Sequence, residues 1–298
     1  MRILSKLSKY IIVASWRLHA DHLLSDKAFL CLYYRWRFDR KLNLKNPRTF
    51  NEKLQWLKLY NRKPEYTTMV DKYKVKEYVA EKIGSDCVTP VFGVWKSPSL
   101  IEWDNLPDRF VLKCSHDCGS SVICKNKASL DKEAALKKLE KAFDYNYYYH
   151  CREGPYKNVE KCVFAEEYLE DNEGHLNDYK FFCFNGEPKY CQVIGGRESV
   201  THIDFFDKEW HHQPFQQPDF YPFSSKEIKK PECLDQMWEY ARILSTDLPF
   251  ARVDFYEVDG KVYFGEITFF PTSGMGKFKP EEWDTTFGDW INLDNVKK

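Results

Sequence analysis

Apolar residues recur along this chain with two different periods, and the change between them divides it. Over residues 1–85 the spacing is helical. Thr49-Phe-Asn-Glu52 reads as a capping box opening a helix that carries Leu54, Leu57 and Leu59. Residues 71–83 read as a second helix, ended by Gly84. From Val88 onward the pattern becomes short and strand-like. Residues 88–95 predict a strand, and Phe110, Val111 and Leu112 begin another that resumes, after a polar loop, at Val122, Ile123 and Cys124. A helix over 131–143 follows, then a strand over 162–169 running into a linker. Residues 178–184 open a C-terminal sheet, and residues 235–244 return to helical spacing. Val253, Phe255, Val262 and Phe264 alternate with polar residues around Asp259-Gly260, a two-residue turn that closes a tight hairpin. The fold class expected is α+β. Its parts are a helical region over 1–85, a middle unit over 86–169 and a C-terminal unit over 170–298. No internal repeat or low-complexity tract interrupts this order.

Composition narrows the partners. The 298 residues carry 45 basic and 45 acidic side chains, so no net field recruits nucleic acid. Aromatic content of 17% serves a core first, with carbohydrate stacking as a second use. None of the ten cysteines forms a Cys-x-x-Cys pair, and several interrupt apolar strand patterns, as buried thiols do in a reducing compartment. Near the start, Arg2, Lys6, Lys9 and Arg17 surround the apolar run Ile11 to Ala14, which is far too short to span a bilayer and is not a signal-peptide core. The expectation is a cytoplasmic chain. Its basic amphipathic first helix either packs on the body or rests on the anionic inner face of a membrane.

Two stretches carry chemistry. In the first, Lys113 ends a strand and is followed by a loop containing Gly119, Ser120 and Ser121. A lysine on rigid backbone beside free loop N–H groups suits phosphate oxygens, although a solvated surface hairpin has the same composition. In the second, about 140 residues later, Arg252 and Asp254 share one strand face, and Glu266 and Thr268 share a face of the next strand. Paired carboxylates beside a cation suit magnesium bridging phosphates; a cross-strand salt bridge is the plainer use.

In order and content these motifs resemble the ATP-grasp superfamily. Leu112-Lys-Cys-Ser-His-Asp-Cys-Gly-Ser-Ser-Val122, Arg252-Val-Asp254 and Glu266-Ile-Thr268 are similar to the nucleotide motifs of D-alanine–D-alanine ligases. The teichuronopeptide-biosynthesis, TupA-like branch is resembled most. The residues that carry this are Leu44-Lys-Asn-Pro-Arg-Thr-Phe-Asn-Glu-Lys53, Asp71-Lys-Tyr-Lys-Val-Lys-Glu-Tyr-Val79, Asp178-Tyr-Lys-Phe-Phe-Cys-Phe-Asn-Gly186 and Gly265-Glu-Ile-Thr-Phe269. The resemblance implies ATP held between two mainly antiparallel sheets, with Mg2+ as cofactor. It assigns Lys72, Lys113, Gly119, Ser120, Ser121 and Lys180 to phosphate, with Lys74 and Lys76 as rival registers for Lys72. Glu166, Glu167, Tyr168 and Leu169 fall on the connector whose backbone reads adenine, and Asp178 on a ribose-binding acid. Asp254, Glu266 and Thr268 would ligate metal, with Thr268 standing where the ligases carry Asn. Arg252 and Lys113 would stabilise the transferring group. The loop at His116-Asp-Cys118 is one residue longer than its counterpart in the ligases.

The implied reaction is activation of a carboxylate as an acyl phosphate, followed by attack of an amine to form an amide. The implied partners are a carboxylate-bearing sugar, such as a uronic acid of a surface-polymer precursor, and an amino acid. Three other readings stand beside it, a glycosyltransferase and an ATP-dependent kinase of capsule or surface-polysaccharide synthesis, and a non-catalytic polymer-binding protein that keeps the fold, against which Lys113, Arg252, Asp254 and Glu266 argue by being intact. The first lacks a closely spaced Asp-x-Asp, since Asp204-Phe-Phe-Asp207 has the wrong interval. The second would share every nucleotide-binding residue.

Overall fold

In the computed structural model, residues 2–18, 20–170, 176–196, 200–294 and 296 are described; Met1 and His19 of the expected first helix lie outside them. The N-terminal region is helical: α1 Arg2–Arg17, α2 Asp26–Phe38, α3 Phe50–Tyr60, α4 Glu65–Val70 and α5 Val75–Ile83. The capping box forms as expected. Thr49 accepts from the Glu52 N–H while the Glu52 carboxylate reaches back to the Thr49 backbone. The expected helix over 71–83 is broken at its start. The Asp71 carboxylate accepts the N–H groups of Tyr73 at 2.9 Å and Lys74 at 3.0 Å, a side-chain turn that competes with helix. Helical bonding begins only at Val75, which leaves Lys72 in a turn between α4 and α5. Gly84 ends α5 at φ 97°, as a C-terminal glycine does.

A first antiparallel sheet has the order β1-β4-β2-β3, from β1 Val91–Trp95, β2 Phe110–Cys114, β3 Val122–Cys124 and β4 Val163–Glu167. The strand expected from Val88 starts three residues later, after Pro90, whose carbonyl accepts the Glu167 N–H. Phe110, Leu112, Val163 and Ala165 pack beneath α6 Lys132–Asp144 through Ala135 and Leu139. The short α7 Tyr148–Cys151 leads back toward β4.

The second antiparallel sheet has the order β7-β6-β5-β8-β9. Its strands are β5 Asp178–Phe184, β6 Glu187–Gly195, β7 His202–Phe206, β8 Phe250–Val258 and β9 Lys261–Thr268. The Asp259-Gly260 turn forms with φ 51° and 73°, the left-handed pair a tight hairpin needs. One sheet face packs on α8 Leu234–Leu244, with Phe181 edge-on to Trp238. On the other face Phe182, Phe184 and Phe250 meet Phe50 of α3 and Phe287 of α9 Glu282–Trp290. The layers are mixed α+β, and every residue of β5 is buried.

The α3–α9 crossing is tight enough to forbid a side chain at Gly288. A Cβ there would lie 2.2 Å from the Arg48 carbonyl oxygen and 2.8 Å from the Phe50 nitrogen, both backbone atoms. Gly288→Ala should therefore cost about 1–3 kcal/mol of stability, read by urea unfolding. An unchanged midpoint would show that α9 can shift without loss.

Candidate active site

The two chemistry-bearing stretches meet in space, and Lys72 joins them. Its backbone N–H donates to the Ser115 carbonyl at 3.0 Å, at the base of the β2–β3 loop. Its side chain reaches Glu266 on β9 at 3.2 Å. Of the three lysines in that segment, Lys72 thus faces the carboxylates. Lys74 points outward to Glu160, and Lys76 turns to Glu166 at 2.8 Å. Lys76 was the residue sequence reasoning underweighted. Its interval of four from Lys72 was the available signal, but the turn at Asp71 puts the two on different partners.

Lys113 stands on β2 opposite Phe164 and ion-pairs with Glu166 of β4. Burial pushes the Glu166 carboxyl up, but Lys113 and Lys76 outweigh that and hold it below the usual range. Glu166 is paired within the sheet to Val91 and Val111, so only Tyr168 and Leu169 of the expected connector leave the strand, beyond Glu167. Arg109 lies 4.7 Å from the Tyr168 ring centre. In the loop, Gly119 adopts φ 95° and is exposed with Cys118 at the tip. The Ser120 hydroxyl is spent inside the loop on Asp117 at 2.8 Å, and the Ser121 carbonyl accepts from Lys138. What the loop turns outward is therefore backbone rather than the Ser120 hydroxyl.

Beneath lies a compact charge cluster. Lys180 and Asp254 are direct neighbours across β5 and β8, at 2.5 Å, and Asp178 lies 3.4 Å from the same ammonium. Asp178 is buried, so its carboxylate supports Lys180 rather than facing open space. Arg252 places Nε 2.7 Å from Asp254 Oδ1 and Nη2 2.7 Å from Oδ2, the bidentate fork, and the same Nη2 is 2.8 Å from Glu266. Thr268 Oγ1 lies 3.2 Å from Glu266 and 3.2 Å from Arg252. Asp254 and Glu266 stay opposed because Gly265 is left unpaired in a bulge between Asp254↔Glu266 and Phe255↔Phe264. Burial raises Glu266, yet Lys72, Arg252 and Lys180 hold it well below the usual carboxylate range. Three cations thus balance three carboxylates.

Asp254, Glu266 and Thr268 offer a set of oxygen donors only, which suits a hard cation. Among the described residues no three or more His, Cys, Asp or Glu side chains form a metal cage. Two carboxylates are what magnesium needs when phosphates and water complete its shell. Beside the cluster sits a residue that sequence reasoning missed. Glu153 is buried, accepts from the Ser273 hydroxyl at 2.6 Å, and is pushed up by burial against the opposing pull of Lys58 and Ser273. Its signal is structural. Thr272 and Ser273 both adopt left-handed backbone, at φ 50° and 54°, which no local pattern announces. The surface concavities beneath β7 and beside Lys53 include none of these residues.

The Glu166 arrangement predicts a pH dependence. A free glutamate titrates near about 4.3, and the folded value is lower. The stabilisation is then complete above that pH and is lost as pH falls through the folded value. Glu166→Gln should cost on the order of 3 kcal/mol at neutrality, and its deficit against wild type should shrink on acidification, measured by urea unfolding. A deficit constant with pH would remove Glu166 as the counter-charge.

Residues 52–292 match the TupA-like ATPgrasp family. No curated protein matches the chain in sequence. Among solved structures it is similar to D-alanine–D-alanine ligase from Bacillus anthracis complexed with ATP, at 15% identity and TM-score 0.40, covering 68% of this chain and 54% of that one. The corresponding Helicobacter pylori ligase gives 16% identity, TM-score 0.44 and coverage of 81% and 69%. L-amino acid ligase from Bacillus licheniformis gives 13% identity, TM-score 0.48 and coverage of 83% and 55%. The chain thus spans about half the length of the first of these. With the family match running over most of its residues, the chain belongs to the TupA-like ATP-grasp family.

Proposed function

We propose that this protein is an ATP-dependent ligase that joins a carboxylate to an amine through an acyl phosphate. The observation that carries the reading is the convergence of the Lys113 hairpin with the Lys72–Lys180–Arg252–Asp254–Glu266 cluster, through the two bonds of Lys72. The two sheets are proposed as the ATP-grasp subdomains, over 86–169 and 170–298, with residues 1–85 as a helical addition. ATP would lie between them, its adenine edge read by backbone at Tyr168 and Leu169 and its phosphates met by loop N–H groups around Gly119. Asp254, Glu266 and Thr268 would hold magnesium, whose positive charge offsets the phosphate oxygens.

The chain's own groups then account for both steps. Lys72, Lys113 and Lys180 sit where charge spreads as a substrate carboxylate oxygen attacks the γ-phosphorus and ADP departs. Asp178 orients Lys180, which departs from the ribose role implied for it by resemblance. The guanidinium of Arg252 presents N–H groups to the acyl phosphate and to the tetrahedral oxyanion formed when the amine attacks the acyl carbon; collapse of that oxyanion expels phosphate, and the amine's proton passes to solvent. The carboxylate is proposed to belong to a uronic acid or similar sugar of a surface polysaccharide precursor, and the amine to an amino acid; the TupA-like family supports this choice.

Hydroxylamine traps an acyl phosphate, which distinguishes this reaction from a kinase. Incubation with ATP, magnesium, hydroxylamine and candidate uronates should yield a hydroxamate with ADP. ADP formation with phosphate left on a sugar hydroxyl would sink the ligase reading, and no magnesium-dependent ATP binding by calorimetry would sink the nucleotide site. Asp254→Asn and Glu266→Gln should each abolish turnover while circular dichroism stays native. For Arg252→Lys, ATP affinity should stay within a few fold while kcat falls by on the order of a hundredfold, because an ammonium cannot span two oxygens. Loss of ATP affinity with normal kcat would instead place Arg252 on the nucleotide.

A further inference from the structure

Helix α1 packs one face on the body of the protein and turns an apolar face outward. Ser8, Ile12 and Ser15 are buried against α2, and Trp16 packs among Phe29, Tyr33, Trp36 and His150. Ser5 adds a hydrogen bond to the Trp36 carbonyl. The helix is therefore fixed along its length. On the other side Ile3, Leu4, Leu7, Ile11 and Leu18 form a continuous stripe at helical spacing, with Ile3 82%, Leu7 54% and Leu18 75% exposed. A monomer gains nothing by showing such a row to water.

The charge beside the stripe identifies what covers it. The segment Arg2 to Leu18 contains no acidic residue, in a chain whose 45 acids and 45 bases otherwise cancel. Exposed Lys6 and Arg17 fall along one edge of the stripe, where exposed Tyr10 also lies, and exposed Lys9 lies farther round the helix toward α2. Among the described ion pairs none uses these three cations, although Lys9 stands 6.0 Å from the Trp36 ring. A packed helix whose outer face is aliphatic, edged by lysine, arginine and tyrosine, has the form of a helix lying in the plane of a bilayer interface. At 16 residues it is about 24 Å long, and no described helix is long and apolar enough to cross a membrane. We propose that α1 docks this protein flat on an anionic lipid surface, inserting Ile3, Leu4, Leu7, Ile11 and Leu18 among the acyl chains while Lys6 and Arg17 meet lipid phosphates. The inference stands apart from the ligase reading, since no residue of α1 belongs to the nucleotide site.

Vesicle sedimentation of the full chain tests it. The protein should pellet with vesicles of equal phosphatidylcholine and phosphatidylglycerol. Partitioning into pure phosphatidylcholine should be weaker by on the order of thirtyfold, the contribution of two basic groups, and high salt should erase the difference. Leu7→Ser combined with Ile11→Ser should abolish pelleting while thermal unfolding stays unchanged. If that pair misfolds, Lys6→Glu with Arg17→Glu provides the second test, since both cations are exposed. Three results would overturn the proposal. One is protein remaining in the supernatant with the anionic vesicles, and another is binding unaltered by folded variants. The third is a dimer on sizing chromatography that Leu7→Ser dissolves, which would give the stripe to a second copy.

Discussion

Charge balance around Lys72 is the constraint on which this site depends. One residue bonds through its backbone to the loop of the first sheet and through its ammonium to a carboxylate of the second. Around it, Lys180 and Arg252 face Asp178, Asp254 and Glu266 within a largely buried volume. Deleting one member of such a set leaves a partner charged and desolvated, which costs several kcal/mol. Each member therefore depends on the others for its stability. It also sets the electrostatics a nucleotide would meet, because phosphates and a divalent cation arrive with opposite charges that can exchange for contacts already present.

Rigidity comes from the same strands that carry the charges. On one face of β5, Asp178 and Lys180 lie at the site, while Phe182 and Phe184 continue into the aromatic layer with Phe50, Phe250 and Phe287. On β8, Phe250 belongs to that layer and Arg252 and Asp254 to the cluster. A side chain on a strand anchored by packed rings a few residues away has little freedom to drift, which the proposed phosphoryl transfer would require.

A second clamp holds the segment after β9. Gln55 of α3 donates to the carbonyls of Ser273 and Gly274, and buried Lys58 donates to Ser273 and Cys151. These bonds fix two consecutive left-handed non-glycine residues, each of which costs on the order of 1–3 kcal/mol. Their effect is to aim the Ser273 hydroxyl at Glu153, beside the cluster. The helical N-terminal region thus shapes the site through α3 as well as through Lys72.

Local rules made much of this legible. Alternation with period two put Arg252 with Asp254 and Glu266 with Thr268, because a strand repeats every second residue wherever it lies. Asp259-Gly260 and Thr49 through Glu52 signalled a turn and a helix start whose bonds close within a few residues. Lys113 at a strand end was equally visible. Tertiary structure decided what no short window contains. It set which lysine of Lys72, Lys74 and Lys76 meets Glu266, 194 residues away, and turned Ser120 inward to Asp117. It also drew Asp178 to Lys180 and brought Glu153 beside the cluster. Partners so distant in sequence are chosen by packing of the whole chain, and a local pattern carries no record of that choice.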